Sequence, residues 1–333
     1  MPREVMLEAA PSSLRSIREP VRDRLDAVRE RLVEMVADGY AAVDEVSEYL
    51  NALEGKLVRP MLVLLSNEVG GSPDERAVDL AALVEMVHVA TLVHDDAVDH
   101  SVRRRGMPTI NARWTHQVAI IMGDFLYSRA VTLLADMGDV EAVSVLGRAA
   151  NRMTVGEMRQ LMAHEALEAT EEDYDRLCEC KTASLMAAAC ELGALVGRPE
   201  FREPLRSYGY ELGMAFQVSD DLLDYTASSR VIGKPTGLDL REHKVTLPLI
   251  AALPEMSAEE RDRVGALFSD PDPSRELVDE VVEIVDRRGG LGYARCRARE
   301  WAERAASRLE DLPAGEATEA LSRAVDFVVS RRS

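Results

Sequence analysis

The chain has 333 residues, of which 47% are apolar and 30% charged, a balance that suits a sizeable buried core and excludes a disordered or membrane-embedded chain. A formal net charge of −19 and a pI near 4.8 surround it with an acidic field, which argues against general nucleic-acid binding and otherwise serves solubility. Aromatic residues are only 5% while Ala, Leu, Val, Glu and Arg dominate, a mixture that favours helices over sheets.

The opening segment, MPREVMLEAAPSSLRSIREP, has no apolar core of signal-peptide length. No uninterrupted run of 18 or more apolar residues follows it, so no membrane span is expected. From Val21 to Val36, apolar residues fall at 21, 25, 28, 32, 33 and 36, the spacing of one helical face. The same rhythm recurs around 60–69, 80–99, 117–135, 141–163, 174–197 and 206–226, and again in the final third. Gly70-Gly71 with Ser72-Pro73 separates two helices, and the clearest loops are 105–108, 197–199 and 233–237. Cys178, Cys180, Cys190 and Cys296 form neither a zinc pair nor a disulfide framework, so a reducing, cytoplasmic setting is expected. With no linker, no repeat and no alternating strand pattern, one all-α domain over residues 1–333 is the simplest reading.

Two aspartate clusters stand out, Asp95-Asp96-Ala97-Val98-Asp99 and Asp220-Asp221-Leu222-Leu223-Asp224. On a helix, positions i and i+4 lie one above the other, so Asp95 projects with Asp99 and Asp220 with Asp224. Like charges so placed weaken the helix unless something neutralises them. A hard divalent cation does so, and magnesium held by one or two carboxylates plus substrate phosphates is its usual arrangement. With 59 acidic residues the bare spacing should arise about twice by chance, and Glu171, Glu172 and Asp175 repeat it in what reads as a solvated helix start. The other two clusters differ because each follows an apolar run, VEMVHVATLV or GYELGMAFQV, where a solvated charge run is not expected.

Only four lysines, Lys56, Lys181, Lys234 and Lys244, occur against 36 arginines, and each stands near Gly, Pro or Thr. Codon bias would scatter the leftovers. A compact ammonium suits a phosphate oxygen in a tight site, whereas arginine offers a planar fork. Arg103-Arg104-Arg105 leads into a loop beyond the first cluster and suggests an anion site, a solvated basic face being the alternative. His88 lies seven residues before Asp95 on the same helical face, while His94 reads as a satisfied boundary histidine. Carboxylates on two helices with cations from several segments suit two diphosphates bound side by side. Nothing resembles a nucleotide loop, a nucleophile elbow or a zinc motif, so the chemistry indicated is ionisation of a diphosphate leaving group.

The order and spacing of HVATLVHDDAVDHSVRRRGMPT and FQVSDDLLDY, with EGKLVRP, GDFLYSRA, GEMRQL, KTASL and GKPTGLDLREHKVTLPL, resemble the trans-isoprenyl diphosphate synthases over about residues 50–250. The resemblance implies an all-α bundle of the isoprenoid synthase type with a central active-site cavity, acting as a homodimer. It implies that Lys56, Arg59, His88 and Arg105 hold isopentenyl diphosphate, and that Arg104, Lys181, Thr182, Gln217, Lys234 and Lys244 grip an allylic diphosphate. Asp95, Asp99 and Asp220 would ligate magnesium, three ions per site, with Asp96, Asp221 and Asp224 in support. The implied reaction is ionisation to an allylic carbocation, attack by the isopentenyl double bond, and proton loss to the departing pyrophosphate.

Three departures accompany the match: Glu54 stands for a usual glycine, Leu57 for a frequent arginine, and His243 for a frequent glycine. In this family, bulky aromatics one turn below the first cluster stop chain growth, so Ala90 and Thr91 imply a product longer than farnesyl diphosphate. The pattern looks most like the octaprenyl and heptaprenyl enzymes, and a greasy product allows contact with a membrane surface. The other readings are a short-chain geranylgeranyl synthase, a class I terpene cyclase, and a non-catalytic helical subunit. A cyclase needs no second diphosphate site and usually carries a different second metal motif, and a subunit leaves both clusters and the lysines unexplained.

Overall fold

A computed structural model describes residues 13–52, 55–104, 106–162, 166–226 and 237–330. Glu54, Arg105 and Lys234 lie outside the described residues. In chain order the helices are α1 (Leu14–Arg18), α2 (Arg22–Val36), α3 (Ala41–Ala52), α4 (Val58–Glu68) and α5 (Arg76–Val98). A hairpin of β1 (Arg103–Arg104) and β2 (Met107–Pro108) precedes α6 (Ile110–Arg113), α7 (His116–Asp136), α8 (Val140–Met162) and α9 (Glu171–Cys178). Then follow α10 (Ser184–Val196), α11 (Arg202–Thr226), α12 (Leu238–Arg241), α13 (Leu247–Ala252), α14 (Ala258–Ser269), α15 (Arg275–Arg287), α16 (Gly290–Ser307) and α17 (Glu316–Ser330).

The all-α expectation holds, and the helices start and stop where local chemistry dictates. Gly70 and Gly71 take φ of 84° and 71°, a left-handed turn that side chains with a Cβ resist, and this ends α4. Thr115, Thr170, Ser257 and Ser274 cap α7, α9, α14 and α15 by accepting a backbone N–H from the first turn. α5 is buried on every side from Leu80 to Val87, and α10 along almost its whole length. A helix apolar all round belongs at the centre. α5 accordingly packs on α2, α4, α7 and α10, while α10 packs on α4, α8 and α11. A smaller apolar cluster joins Tyr225 and Leu240 to α13, α14 and α15 through Leu249, Val264, Leu267, Val281 and Val285. Leu222 and Val245 touch both clusters.

Three expectations need correction. The helix expected across 174–197 is interrupted by a π-helical turn, Glu179–Ala183, from which Lys181 and Thr182 reach partners on different helices. The RRRGMP stretch is a two-stranded hairpin around Gly106 (φ 81°), too short to show an alternating pattern. Glu171 and Asp175 are not simply solvated: Arg297 on α16 meets them at 2.9 and 3.3 Å, and the Tyr293 hydroxyl donates to Glu171 at 2.6 Å. The expectation of no membrane span is not overturned, although α5 and α7 are each long and apolar enough to cross a membrane by length and composition alone. Counting uninterrupted apolar runs missed them because isolated polar residues punctuate both. α5 meets the same test as the central helix of a bundle, being mostly buried among other helices.

Close helix approach rests on glycine. A Cβ at Gly193 of α10 would sit 2.1 Å from the Val63 carbonyl oxygen and 3.0 Å from the Asn67 nitrogen on α4, both backbone atoms. Gly193→Ala should therefore push α4 and α10 apart and lower stability by about 1–3 kcal/mol in denaturant unfolding; an unchanged midpoint would contradict this packing.

Candidate active site

Both aspartate clusters fall at helix C-termini. Asp95 and Asp96 lie in the last turn of α5 with Asp99 as its C-cap, and Asp220, Asp221 and Asp224 lie in the last two turns of α11. The last turns of both helices lack basic residues. A helix C-terminus already carries partial negative charge, so carboxylates there are unfavourable until cations reach them.

The central aspartate of each cluster is tied down by the protein. Buried Asp96 accepts the Arg104 Nε–H at both oxygens, 2.8 and 3.0 Å away. Buried Asp221 accepts the Tyr174 hydroxyl at 2.6 Å and the Gln217 amide at 2.8 Å, and the Gln217 carbonyl accepts the Thr182 hydroxyl at 2.6 Å. Thr182, Gln217, Asp221 and Tyr174 thus form one continuous hydrogen-bonded chain across the π turn, α11 and α9. Asp224 accepts the backbone N–H groups of Leu238 and Asp239 at 3.1 and 3.0 Å, fastening α11 to the start of α12.

Burial first, and repulsion among the acids after it, raises their proton affinities. Burial, with repulsion from Glu157 and Asp99, pushes the Asp95 carboxyl up to about 7 against the pull of Lys181 and Arg104. Burial raises Asp221 to about 7 despite its two hydrogen bonds. Asp239 goes to about 8, through burial and then repulsion from Asp221 and Asp224. Asp224 is also raised, first by burial.

The cations reach this acidic space from separate segments. The Lys181 ammonium, in the π turn, contacts Glu157 at 2.6 Å and Gln160 at 2.8 Å on α8 and bears on Asp95. Gly156 permits that approach, since a Cβ there would meet Cys180 Cβ at 2.7 Å. Lys244 lies in the field of Asp99 from the first cluster and of Asp224 and Asp239 beside the second. The two clusters therefore face one space. Arg59, in the first turn of α4, lies 3.0 Å from His88 on α5, and Lys56 precedes α4. Leu57, at a left-handed φ of 42°, turns its side chain into the core, away from any phosphate role. Below the first cluster, Ala90 is buried and the Thr91 hydroxyl donates to the His88 carbonyl at 2.8 Å. His94 is a boundary group, 3.1 Å from the Ile120 carbonyl and 3.4 Å from Asp124 on α7.

Sequence reasoning assigned no role to Glu157, Gln160, Tyr174 or Asp239. Glu157, Gln160 and Asp239 lie inside the quoted blocks GEMRQL and GKPTGLDLREHKVTLPL, but nothing local sets them apart from the chain's other polar residues. Tyr174 left no signal either, because its role depends on where α9 crosses α11. Among the described residues no three His, Cys, Asp or Glu side chains converge closely enough to hold a metal unaided. The donors are hard carboxylate oxygens on two sides of one space, which fits magnesium shared between one or two carboxylates and phosphate oxygens.

Residues 40–285 match the family model described as polyprenyl synthetase. The chain belongs to that family. It is 40% identical over 304 residues to the all-trans-nonaprenyl-diphosphate synthase (geranyl-diphosphate specific) of Rhodobacter capsulatus, covering 91% of this chain and 93% of that one. The octaprenyl diphosphate synthase of Escherichia coli K12 is 35% identical over 321 residues, 96% of this chain and 99% of that one. The polyprenyl synthase of Caulobacter crescentus CB15, solved in complex with calcium and isoprenyl diphosphate, superposes with a TM-score of 0.91 at 32% identity over 98% of this chain and all of that one. This polyprenyl synthetase is accordingly a prenyltransferase with the isoprenoid synthase fold.

Raised carboxyl groups make the metal-free enzyme pH-sensitive. An unfolded Asp titrates near ~3.9, so the folded state holds extra protons above that value. The contribution of Asp95, Asp221 and Asp239 is complete below it and disappears as pH rises through about 7 to about 8. In chelator, the melting temperature should fall between roughly pH 5 and pH 8.5, and magnesium should recover most of the loss at the alkaline end. A flat profile in chelator would contradict the crowding described here.

Proposed function

We propose that this prenyltransferase condenses isopentenyl diphosphate with an allylic diphosphate and releases a trans-polyprenyl diphosphate longer than C15. The observation that carries the reading is the convergence of two aspartate clusters and the cations Lys181, Lys244 and Arg104 on one space. Asp95, Asp99 and Asp220 would hold magnesium, three ions per site, which neutralises the allylic diphosphate and makes it a better leaving group.

The chain's own residues supply position and charge. Lys181 and Lys244, with Lys234 and Arg104, hold the allylic diphosphate as its bond to carbon lengthens and charge collects on the leaving oxygens. Arg104 does so while fastened to Asp96, and Lys181 while braced by Glu157 and Gln160, so neither cation has far to reorganise. Thr182 and Gln217 border the same space, their polar atoms ordered by Asp221 and Tyr174. Lys56, Arg59, His88 and Arg105 hold isopentenyl diphosphate, helped by the N-terminus of α4 at Arg59. The departing pyrophosphate takes the proton that the condensed product loses.

Labelled isopentenyl diphosphate with a farnesyl diphosphate primer and magnesium tests this directly. Incorporation should be abolished by chelator and reduced at least ~10²-fold by Asp95→Ala or Asp220→Ala, the scale of losing one transition-state charge partner. Cyclised hydrocarbon instead of label incorporation would indicate a terpene cyclase, and no turnover a non-catalytic subunit. Product length is read in the same assay: Ala90→Phe with Thr91→Phe should shorten the product to C15 or C20 by closing the channel one turn below Asp95. An unchanged product would refute that floor, and a C20 product from the parent would mark a short-chain synthase.

We also propose a cytoplasmic homodimer built on α7 and α8. Ile121 on α7 and Met158 and Met162 on α8 are 65%, 55% and 62% exposed, and Val155, Met158 and Met162 border an apolar hollow of about 290 Å³. A second copy would cover these exposed apolar side chains. The four free cysteines fit a reducing compartment. Ile121→Glu with Met158→Glu should halve the mass measured by light scattering; a parent that is already monomeric would defeat the proposal.

A further inference from the structure

We propose that His243 is a positioning residue that fastens the turn presenting Lys244 to the end of α14, and thereby sets the grip on the allylic diphosphate. The inference rests on the reading of Lys244 as a ligand of that diphosphate.

α12 ends in a two-bond turn. The His243 N–H donates to the Leu240 carbonyl at 3.0 Å, and the Lys244 N–H donates to the Asp239 carbonyl at 2.8 Å. These are the paired reverse bonds that close a helix when the residue after the C-cap adopts a left-handed conformation. That residue is His243, with φ of 56°. A side chain with a Cβ is disfavoured there and glycine is the usual occupant, so a histidine calls for a compensating contact.

The contact lies across the turn. His243 Nε2 is 2.9 Å from the Asp270 carbonyl oxygen, just past the end of α14, and its ring lies 5.9 Å from the Phe268 ring. A carbonyl only accepts, so Nε2 carries the hydrogen. α14 is itself anchored, with Val264 and Leu267 in the second apolar cluster. Arg241 makes a parallel but exposed link to Asp272 at 2.7 Å.

The outcome at the other side of the turn is the placement of Lys244. Its ammonium contacts Glu242 at 2.6 Å and lies in the field of Asp99, Asp224 and Asp239. Glycine at 243 would make the same turn without the tie. Lys244 would then keep its backbone bond to Asp239 and lose the brace to α14.

His243→Gly is the informative change, since it relieves the left-handed backbone and leaves the fold intact. The KM for farnesyl diphosphate should rise about 3- to 10-fold, the range that one lost hydrogen bond supports, while the KM for isopentenyl diphosphate stays constant. Hydrogen exchange at the Lys244 amide should accelerate. His243→Asn, which tolerates the left-handed conformation and retains a donor, should recover part of both effects. Lys244→Ala, measured alongside, separates the two layers. If Lys244→Ala weakens the allylic substrate and His243→Gly does not, the positioning role is overturned and the active-site reading stands. If neither changes that KM, the reading of Lys244 falls, and unchanged exchange in His243→Gly removes the brace as well.

Discussion

Everything in this molecule answers to one electrostatic constraint: carboxylates from two helix C-termini are held around a single space, where burial and mutual repulsion favour protonation. Burial pushes Asp95 and Asp221 up to about 7 and Asp239 up to about 8, far above an exposed carboxyl. A chain that needed only stability would not gather these groups. The bundle opposes the repulsion from below, through α10, which is buried along almost its whole length and wedged against α4, α8 and α11. It opposes it locally by fixing Asp96 to Arg104 and Asp221 to Tyr174 and Gln217. After these ties the space is still strongly acidic, a setting that favours the approach of cations.

The supporting contacts extend far beyond the site. Arg297 on α16 holds Glu171 and Asp175, so α9 is fixed in place, and α9 carries Tyr174 to the buried oxygen of Asp221. Asp221 orders Gln217, and Gln217 orders Thr182 in the π turn. The π turn in turn aims Lys181 at α8. On the opposite wall, Asp224 caps the start of α12, whose C-terminal turn presents Lys244. Lys181 and Lys244 are therefore both delivered by irregular backbone between regular helices. Irregular turns can point a side chain where the 3.6-residue rhythm of a helix would not.

Much of the candidate site was legible because its residues break their context. Aspartates ending apolar runs, lysines in a chain that otherwise uses arginine, and three arginines entering a loop all stand out against the local pattern. The residues that support them do not. Glu157 and Asp239 are two acids among 59, and Asp175 looked like a decoy until Arg297 arrived from 122 residues away. Leu57 shows the reverse case: a departure at a position associated with phosphate contact proved to be a core residue.

The amino-acid sequence by itself determined the helices, their termini and the identity of the charged residues, because periodicity, capping and turn chemistry act over a few neighbouring positions. Tertiary structure alone decided the π turn after Cys178, the Tyr174–Asp221 bond, the left-handed His243 braced on Asp270, and which carboxylates are buried enough to hold protons near neutrality. These depend on distances between segments tens of residues apart, and on the loss of solvent when those segments pack. Neither quantity is written in any local stretch of the chain.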